Sequence, residues 1–226
     1  MAGDEAAQEE ALPLLRQTEL RKCLSEVQLK ELERFCRTSL RKAGTTLFRQ
    51  GEPAEALYLV AEGSIELRAR PPGRRVYRTV ELVQPNCTFG DEALFGEENY
   101  LMSARAMEPT KLLILPRSSF ERLSDQHPDI AVGILRCSGS CLLQTIRRSA
   151  ILTQSPAEVG LRQLLLELAK ANGGGTARPA ALRITHAQLA GVLHLSRETV
   201  SRMLAQMAGE GIVELGRGVI RVRQTW

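Results

Sequence analysis

Apolar positions change period three times along the chain, and each change predicts a different kind of element. Around Ser25–Arg37, Val27, Leu29, Leu32, Phe35 and Cys36 recur at near-helical spacing behind a serine fit to cap a helix, which predicts a short amphipathic helix. From Leu40 to Leu115 the pattern breaks into short runs, TTLFRQ, ALYLVAEG, SIELRAR, VYRTVELV and KLLILP, cut by Gly44, Gly51, Gly63, Gly73, Gly90 and Gly96. Such runs between turn residues predict strands of a barrel or roll. A brief helix is expected over Ser118–Ser124, and Pro128 opens a segment to about Thr153 that has no proline inside it and no glycine after Gly139.

Along that long segment Ile130, Ile134, Cys137, Cys141, Leu142 and Ile146 are read as one side, with Arg136, Gln144, Arg147 and Arg148 on or near the other. A helix of that length with an apolar side predicts pairing with a second copy of itself. Gln154-Ser155-Pro156 then breaks the pattern, and a helix from Glu158 to Lys170 closes at Asn172 and the glycines 173–175.

The last stretch carries the most chemistry. ITHAQLAGVLHLSRETVSRMLAQMAGEGIVELGRGVIRVR predicts a helix over about His186–Val192 capped by Thr185, a turn through His194 and Leu195, and a second helix capped by Ser196 that runs to about Ala208. Ala190, Val192, Leu195, Val200, Leu204 and Met207 can pack the pair. Arg197, Glu198, Ser201 and Arg202 are left on the opposite side, where they can face a major groove. An arginine fork matches guanine O6 and N7, and a glutamate accepts from cytosine N4, so this face can read a half-site containing G and C. Ile212–Leu215 and Val219–Val222 alternate around Gly216-Arg217-Gly218, a two-stranded wing whose Arg217 can touch phosphate.

Composition narrows the function class. The chain has 226 residues, 43% hydrophobic and 25% charged, the balance of a globular protein. No uncharged apolar window approaches a spanning length, and the first residues are acidic where a signal peptide is basic, so a cytoplasmic location without membrane attachment is expected. Of the formal charge of +4, all resides in the last 71 residues, where nine Lys or Arg face five Asp or Glu, which points to a polyanion partner. The five cysteines are scattered without a C-x-x-C pair, so free thiols are expected. Gly-rich phosphate loops, metal-ligand clusters and nucleophile–base constellations do not stand out, which argues against an enzyme.

FRQGEPAEALYLVAEGSIEL at Phe48–Leu67, FGDEALF at Phe89–Phe95, HPDI at His127–Ile130 and LSRETVSRML at Leu195–Leu204 together resemble the cyclic AMP receptor protein and FNR family of bacterial transcription regulators, over about Leu24–Val222. The resemblance implies an α+β chain: a polar tail over 1–20, a cyclic-nucleotide-binding-type β-roll sensor over 21–127, a long dimerisation helix and hinge over 128–155, and a winged helix-turn-helix over 156–226. It implies a homodimer on a palindromic promoter in double-stranded DNA, meeting RNA polymerase there and governed by a small effector. Arg197, Glu198 and Arg202 match the receptor protein's recognition helix, which implies a TGTGA-like half-site. Glu198, Ser201 and Arg202 also fit the FNR branch, with a half-site closer to TTGAT, but Arg197 favours the first.

For the effector, the nucleotide-binding members supply an acidic group and an arginine. Here the corresponding pocket is read as Gly90, Asp91, Met102, Ser103 and Ala104, with Met102 where the arginine belongs and Arg105 on the other face of its strand. Cyclic AMP is therefore the alternative. FRQGEPAEALYLVAEG and Asn99-Tyr100 look more like the branch that senses nitric oxide or redox signals through haem, for which His127, His186, His194 and Cys87 are the candidate ligands. Cys23 and Cys36 do not form the cluster of the iron–sulfur members. Cys137 and Cys141, four apart on the long helix, and Cys87 are thiol-sensing candidates. A reading from another class, a nucleotide-sensing module without DNA binding, lacks a basic winged domain of this kind.

Overall fold

The computed structural model describes residues 11–70, 73, 76–154, 156–172 and 180–223, without the side chains of 144, 148 and 150–154. Ser155, the glycines 173–175 and the first half of the expected polar tail lie outside these residues. Two compact units emerge, residues 1–70 with 82–145, and residues 71–81 with 146–226.

In the first unit, the expected polar tail is folded where it is described. Helix α1 (Ala11–Leu15) and a 3₁₀ turn at Glu19–Lys22 bury Leu14, Leu15 and Leu20, because ALPLL carries enough apolar surface to dock. Helix α2 (Glu26–Glu33) starts at Ser25 with a full capping box, the Ser25 hydroxyl accepting from the Gln28 amide and the Gln28 side chain accepting from the Ser25 amide.

Eight strands follow: β1 (Arg37–Arg41), β2 (Thr46–Phe48), β3 (Ala56–Glu62), β4 (Ile65–Ala69), β5 (Arg78–Val83), β6 (Thr88–Phe89), β7 (Ser103–Ala106) and β8 (Thr110–Pro116). They form two sheets, ordered β1-β8-β3-β6 and β2-β7-β4-β5. Period-two alternation divides the core. Leu57, Leu59, Leu113 and Leu115 face outward and pack under α1, α2 and the helix α4 described below. Tyr58, Val60, Leu112 and Ile114 face the roll interior, opposite Phe48, Ile65, Leu67, Ala104 and Ala106 of the second sheet.

Helix α3 (Arg117–Gln126) leads through His127 into α4 (Pro128–Gln154). The apolar phase of α4 differs from the sequence expectation. Ile130, Ile134 and Cys137 are buried in the unit's own outer core and are not free to meet a second copy. A second stripe, Val132, Leu135, Leu142 and Ile146, with Gly139 between, steps by three and four residues and is solvent-exposed apart from the half-buried glycine.

The second unit contains α5 (Ala157–Ala171), β9 (Ala180–Leu182), α6 (His186–Val192), α7 (Arg197–Gly209), β10 (Val213–Gly216) and β11 (Val219–Val222). β11 pairs with both β10 and β9 in an antiparallel sheet. Leu161, Leu164 and Leu165 of α5, Leu189 of α6 and Val200, Leu204 and Met207 of α7 are buried to within a few per cent.

Candidate nucleic-acid interface and effector chamber

Capping sets both helices of the α6–α7 pair. The Thr185 hydroxyl accepts from the Gln188 amide while the Gln188 side chain accepts from the Thr185 amide, and the Ser196 hydroxyl accepts from the Thr199 amide at 3.0 Å. Between them His194 adopts φ 54°, a left-handed conformation that a non-glycine residue enters at a cost of roughly 1–2 kcal/mol. The Leu195 amide bonds to the Ala190 carbonyl and closes the turn.

Arg197, Glu198 and Arg202 stand exposed on the first turns of α7. Ser201 does not share that exposure, because its hydroxyl forms a 2.7 Å hydrogen bond with His186 Nδ1 and ties α7 to α6. At the far end of α7, Gly211 at φ 74° ends the helix, with its amide bonded to the Ala208 carbonyl and the Ile212 amide to the Met207 carbonyl. Arg162 of α5 spans Glu158 and Glu210 at 2.8 and 2.9 Å and holds this end in place. Arg217 occupies the exposed turn of the wing, and Arg221 pairs with Glu214 across the strands at 3.2 Å. Two arginines and one glutamate on the first turns of α7, with one arginine on the wing tip, therefore stand exposed, residue types able to donate to or accept from base edges and phosphates.

In the β-roll the sequence-predicted pocket is assembled differently. Gly90 has φ 76°, and a Cβ there would lie 2.9 Å from the Ala56 carbonyl oxygen, so the segment turns only with glycine at this position. Asp91 begins the 3₁₀ turn Asp91–Ala93. Two tyrosine rings close over Gly90, where a Cβ would lie 3.1 Å from Tyr58 Cδ2 and 3.4 Å from Tyr100 Cε1. The Tyr100 hydroxyl donates to the Ala56 carbonyl and accepts from the Ala56 amide, both at 3.0 Å. Its ring stacks on Phe48 at 3.6 Å between centroids, and Tyr58 and Phe89 stack at 5.1 Å beside it. Burial pushes both tyrosine hydroxyls up from their ordinary value, with Arg37 and Arg41 close enough to Tyr58 to oppose the shift there.

Met102 lies half-buried against this core, Ala104 is enclosed between Phe48 and Leu67, and the Ser103 hydroxyl accepts from the Gln50 amide at 2.9 Å. Arg105 sits on the opposite face, 3.5 Å from the buried carboxylate of Glu66. The aromatic lining was missed in the sequence because Phe48, Tyr58, Phe89 and Tyr100 come from four separate segments.

None of the candidate haem ligands faces a space for a porphyrin. His127 lies 3.4 Å from Glu31 and edge-on to Phe35, His186 is bonded to Ser201, His194 is in the helix-turn-helix turn, and Cys87 packs against the interior core. An apolar cavity under α1 and α2, lined by Leu15, Leu32, Cys36, Leu57 and Leu115 among others, measures about 20 Å³, room for little more than one water-sized molecule. The residues present do not fit haem.

The thiols fall into different settings. Burial pushes Cys36 up to about 12. Cys137 is held protonated by the hydrogen bond it donates to Cys141, reinforced by burial. Cys141 is lowered to about 7, first by that bond and then by the Thr88 amide and hydroxyl, against the effects of burial and the nearby Asp91.

Residues 41–127 match the family pattern described as "Cyclic nucleotide-binding domain", and residues 161–225 the one described as "Crp-like helix-turn-helix domain". A protein of Thermus thermophilus named "Cyclic AMP receptor protein" is 34% identical over 182 residues, 80% of this chain and 81% of that relative. The "CRP-like cAMP-activated global transcriptional regulator" of Mycobacterium tuberculosis is 30% identical over 185 residues, 78% of this chain and 80% of its own. The solved structure of FixK2 from Bradyrhizobium japonicum superimposes with a TM-score of 0.70 at 23% identity, over 84% of this chain and 93% of that one, a likeness of fold. No described helix is long and apolar enough to cross a membrane.

Proposed function

The chain belongs to the cyclic AMP receptor protein and FNR family of transcription regulators, and from that premise we propose that it acts as a homodimer whose paired α7 helices read a palindromic promoter site under the control of a small signal. One observation carries the reading: two capped helices place Arg197, Glu198 and Arg202 together on an exposed face, with Arg217 on the adjoining wing. The two arginines take guanine edges, Glu198 takes cytosine N4, and Arg217 takes a phosphate, which fits a TGTGA-like half-site. RNA polymerase is the partner met at such a promoter.

The signal is of the redox or nitrogen-oxide class. In support, the uncharged Met102 stands where the resemblance places the phosphate-binding arginine, and the stacked rings of Phe48, Tyr58, Phe89 and Tyr100 fill the roll interior it packs against. Since haem finds no ligand geometry, the signal acts on the protein's own groups. The second reading, cyclic AMP, is favoured by the names of the two relatives and by Arg37 and Arg41 beside Tyr58, which would offer an anion its positive charge.

Fluorescence anisotropy on a TGTGA palindrome and on a scrambled duplex, with and without cyclic AMP, tests both readings. Specific binding by the reduced protein without nucleotide is expected, and equal affinity for both duplexes would overturn the base-reading assignment. Binding that appears only with cyclic AMP would replace the first signal with the second.

A further inference from the structure

Cys141 is the sulfur on which hydrogen-bond donors converge. The Cys137 thiol and the Thr88 amide both donate to it, and the Thr88 hydroxyl, shielded from solvent, lies beside the same sulfur. Donors pointed at one sulfur stabilise its thiolate, and Cys141 is half-buried, so a small reagent can reach it. Thr88 directly precedes the Phe89-Gly90-Asp91 segment, so the site joins α4 to the wall of the roll.

The turn between the two cysteines is poorly built as helix. Ser138 buries its hydroxyl oxygen without a partner, Gly139 follows, and Ser140 turns its hydroxyl back to the Arg136 carbonyl at 3.0 Å. Glycine and back-bonded serine both weaken a helix locally. Residues four apart on a helix hold their Cβ atoms about 5–6 Å apart, whereas a disulfide needs about 3.5–4.5 Å. Cys-Ser-Gly-Ser-Cys must therefore open slightly to close a bond, and its composition makes that opening cheap.

We propose that Cys141 is a peroxide-reactive thiol and that Cys137 resolves its oxidised form into a disulfide within α4. The Cys141 thiolate attacks one oxygen of hydrogen peroxide: an S–O bond forms, the O–O bond breaks, and the departing hydroxide takes a proton and leaves as water. The Cys137 sulfur then attacks the Cys141 sulfenic acid: an S–S bond forms, the S–O bond breaks, and the hydroxide leaves with the Cys137 proton as a second water. The sulfur pair loses two electrons and the peroxide gains them. The roles are not interchangeable, since Cys137 is the protonated, buried partner and Cys141 the hydrogen-bonded acceptor.

This assignment rests on the signal-responsive reading only for its consequence, because its chemistry is measured without DNA. Full-length reduced protein is treated with stoichiometric hydrogen peroxide at neutral pH and mapped by mass spectrometry. The expected product is a Cys137–Arg147 tryptic peptide lighter by two hydrogens. Cys137→Ser is expected to stop at a Cys141 sulfenic acid that dimedone traps, and Cys141→Ser to slow peroxide consumption by about tenfold. First oxidation at Cys23, Cys36 or Cys87, or a covalent dimer in place of the intrachain bond, would overturn the assignment, and the wild-type map decides even where a variant fails to fold. A protein that forms this disulfide yet binds no palindrome when reduced overturns the DNA reading alone.

Discussion

At the residue scale, Arg202 gives the sharpest test of base reading. It is exposed and holds no hydrogen bond or ion pair among the described residues, so Arg202→Ala should leave thermal unfolding unchanged while a lost bidentate pair costs about 1–3 kcal/mol of discrimination against the scrambled duplex. Anisotropy titrations at fixed salt read that difference directly. Tyr100 behaves oppositely: Tyr100→Phe keeps the ring stack but strips the buried Ala56 amide and carbonyl of their partner, for which a loss of about 1–3 kcal/mol is expected in urea denaturation. Cys141 adds a pH dependence. Its folded value is lowered to about 7, so its ionisation stabilises the fold above the ordinary thiol range, and that contribution is lost as pH falls toward and through 7. The stability gap between wild type and Cys141→Ala should therefore widen from pH 7 to about pH 9. The exposed placement of Arg197, Glu198 and Arg202 on α7 was legible because they lie within one helical turn and a half of each other. The rings over Gly90 were not, because Tyr58 and Tyr100 reach it from segments far apart in sequence and only the paired bonds of Tyr100 to Ala56 fix one of them there.

At the element scale, legibility followed local chemistry. Ser25, Thr185 and Ser196 announced their helices, and all three accept the amide that a capping residue should. Thr185→Ala should cost about 1 kcal/mol in the second unit and loosen α6, measurable as faster amide exchange over His186–Val192. Strands β1 and β7 were less visible, since Arg37–Arg41 and Ser103–Ala106 carry few large apolar residues and are held by pairing to β8 and to β2 and β4. The extent of α4 was read to within a residue, but its phase was not. The helix carries two apolar stripes, and sequence periodicity alone cannot say which one the roll takes; the outer faces of Leu57, Leu59, Leu113 and Leu115 took Ile130, Ile134 and Cys137. Ser138→Ala removes a buried hydroxyl without a partner and improves helix propensity, so a gain of about 1 kcal/mol is expected in urea denaturation, with slower closure of the Cys137–Cys141 bond.

At the scale of the whole molecule, the stripe left over on α4 is what makes a dimer the economical arrangement. Val132, Leu135, Leu142 and Ile146 are each at least 38% exposed, and their three-and-four spacing is the one that lets a helix lie along its own copy in a left-handed pair. A polar partner would leave this surface no better covered than water does, whereas an identical stripe covers both at once and brings two recognition helices under a single two-fold axis. A palindrome is the duplex counterpart of that symmetry. Leu142→Glu tests the argument cleanly, because the side chain is 57% exposed within the protomer and the charge should cost the folded chain little. In a paired seam the same charge would be buried beside its symmetry mate. Light scattering is expected to show a mass near the 24.9 kDa of one chain in place of twice that. Affinity for the palindrome should fall by about 10²–10⁴, as expected when two half-sites are no longer bound by one linked pair. A Leu142→Glu protein that stays dimeric would place the interface on another face of the molecule and remove the α4 seam from the account.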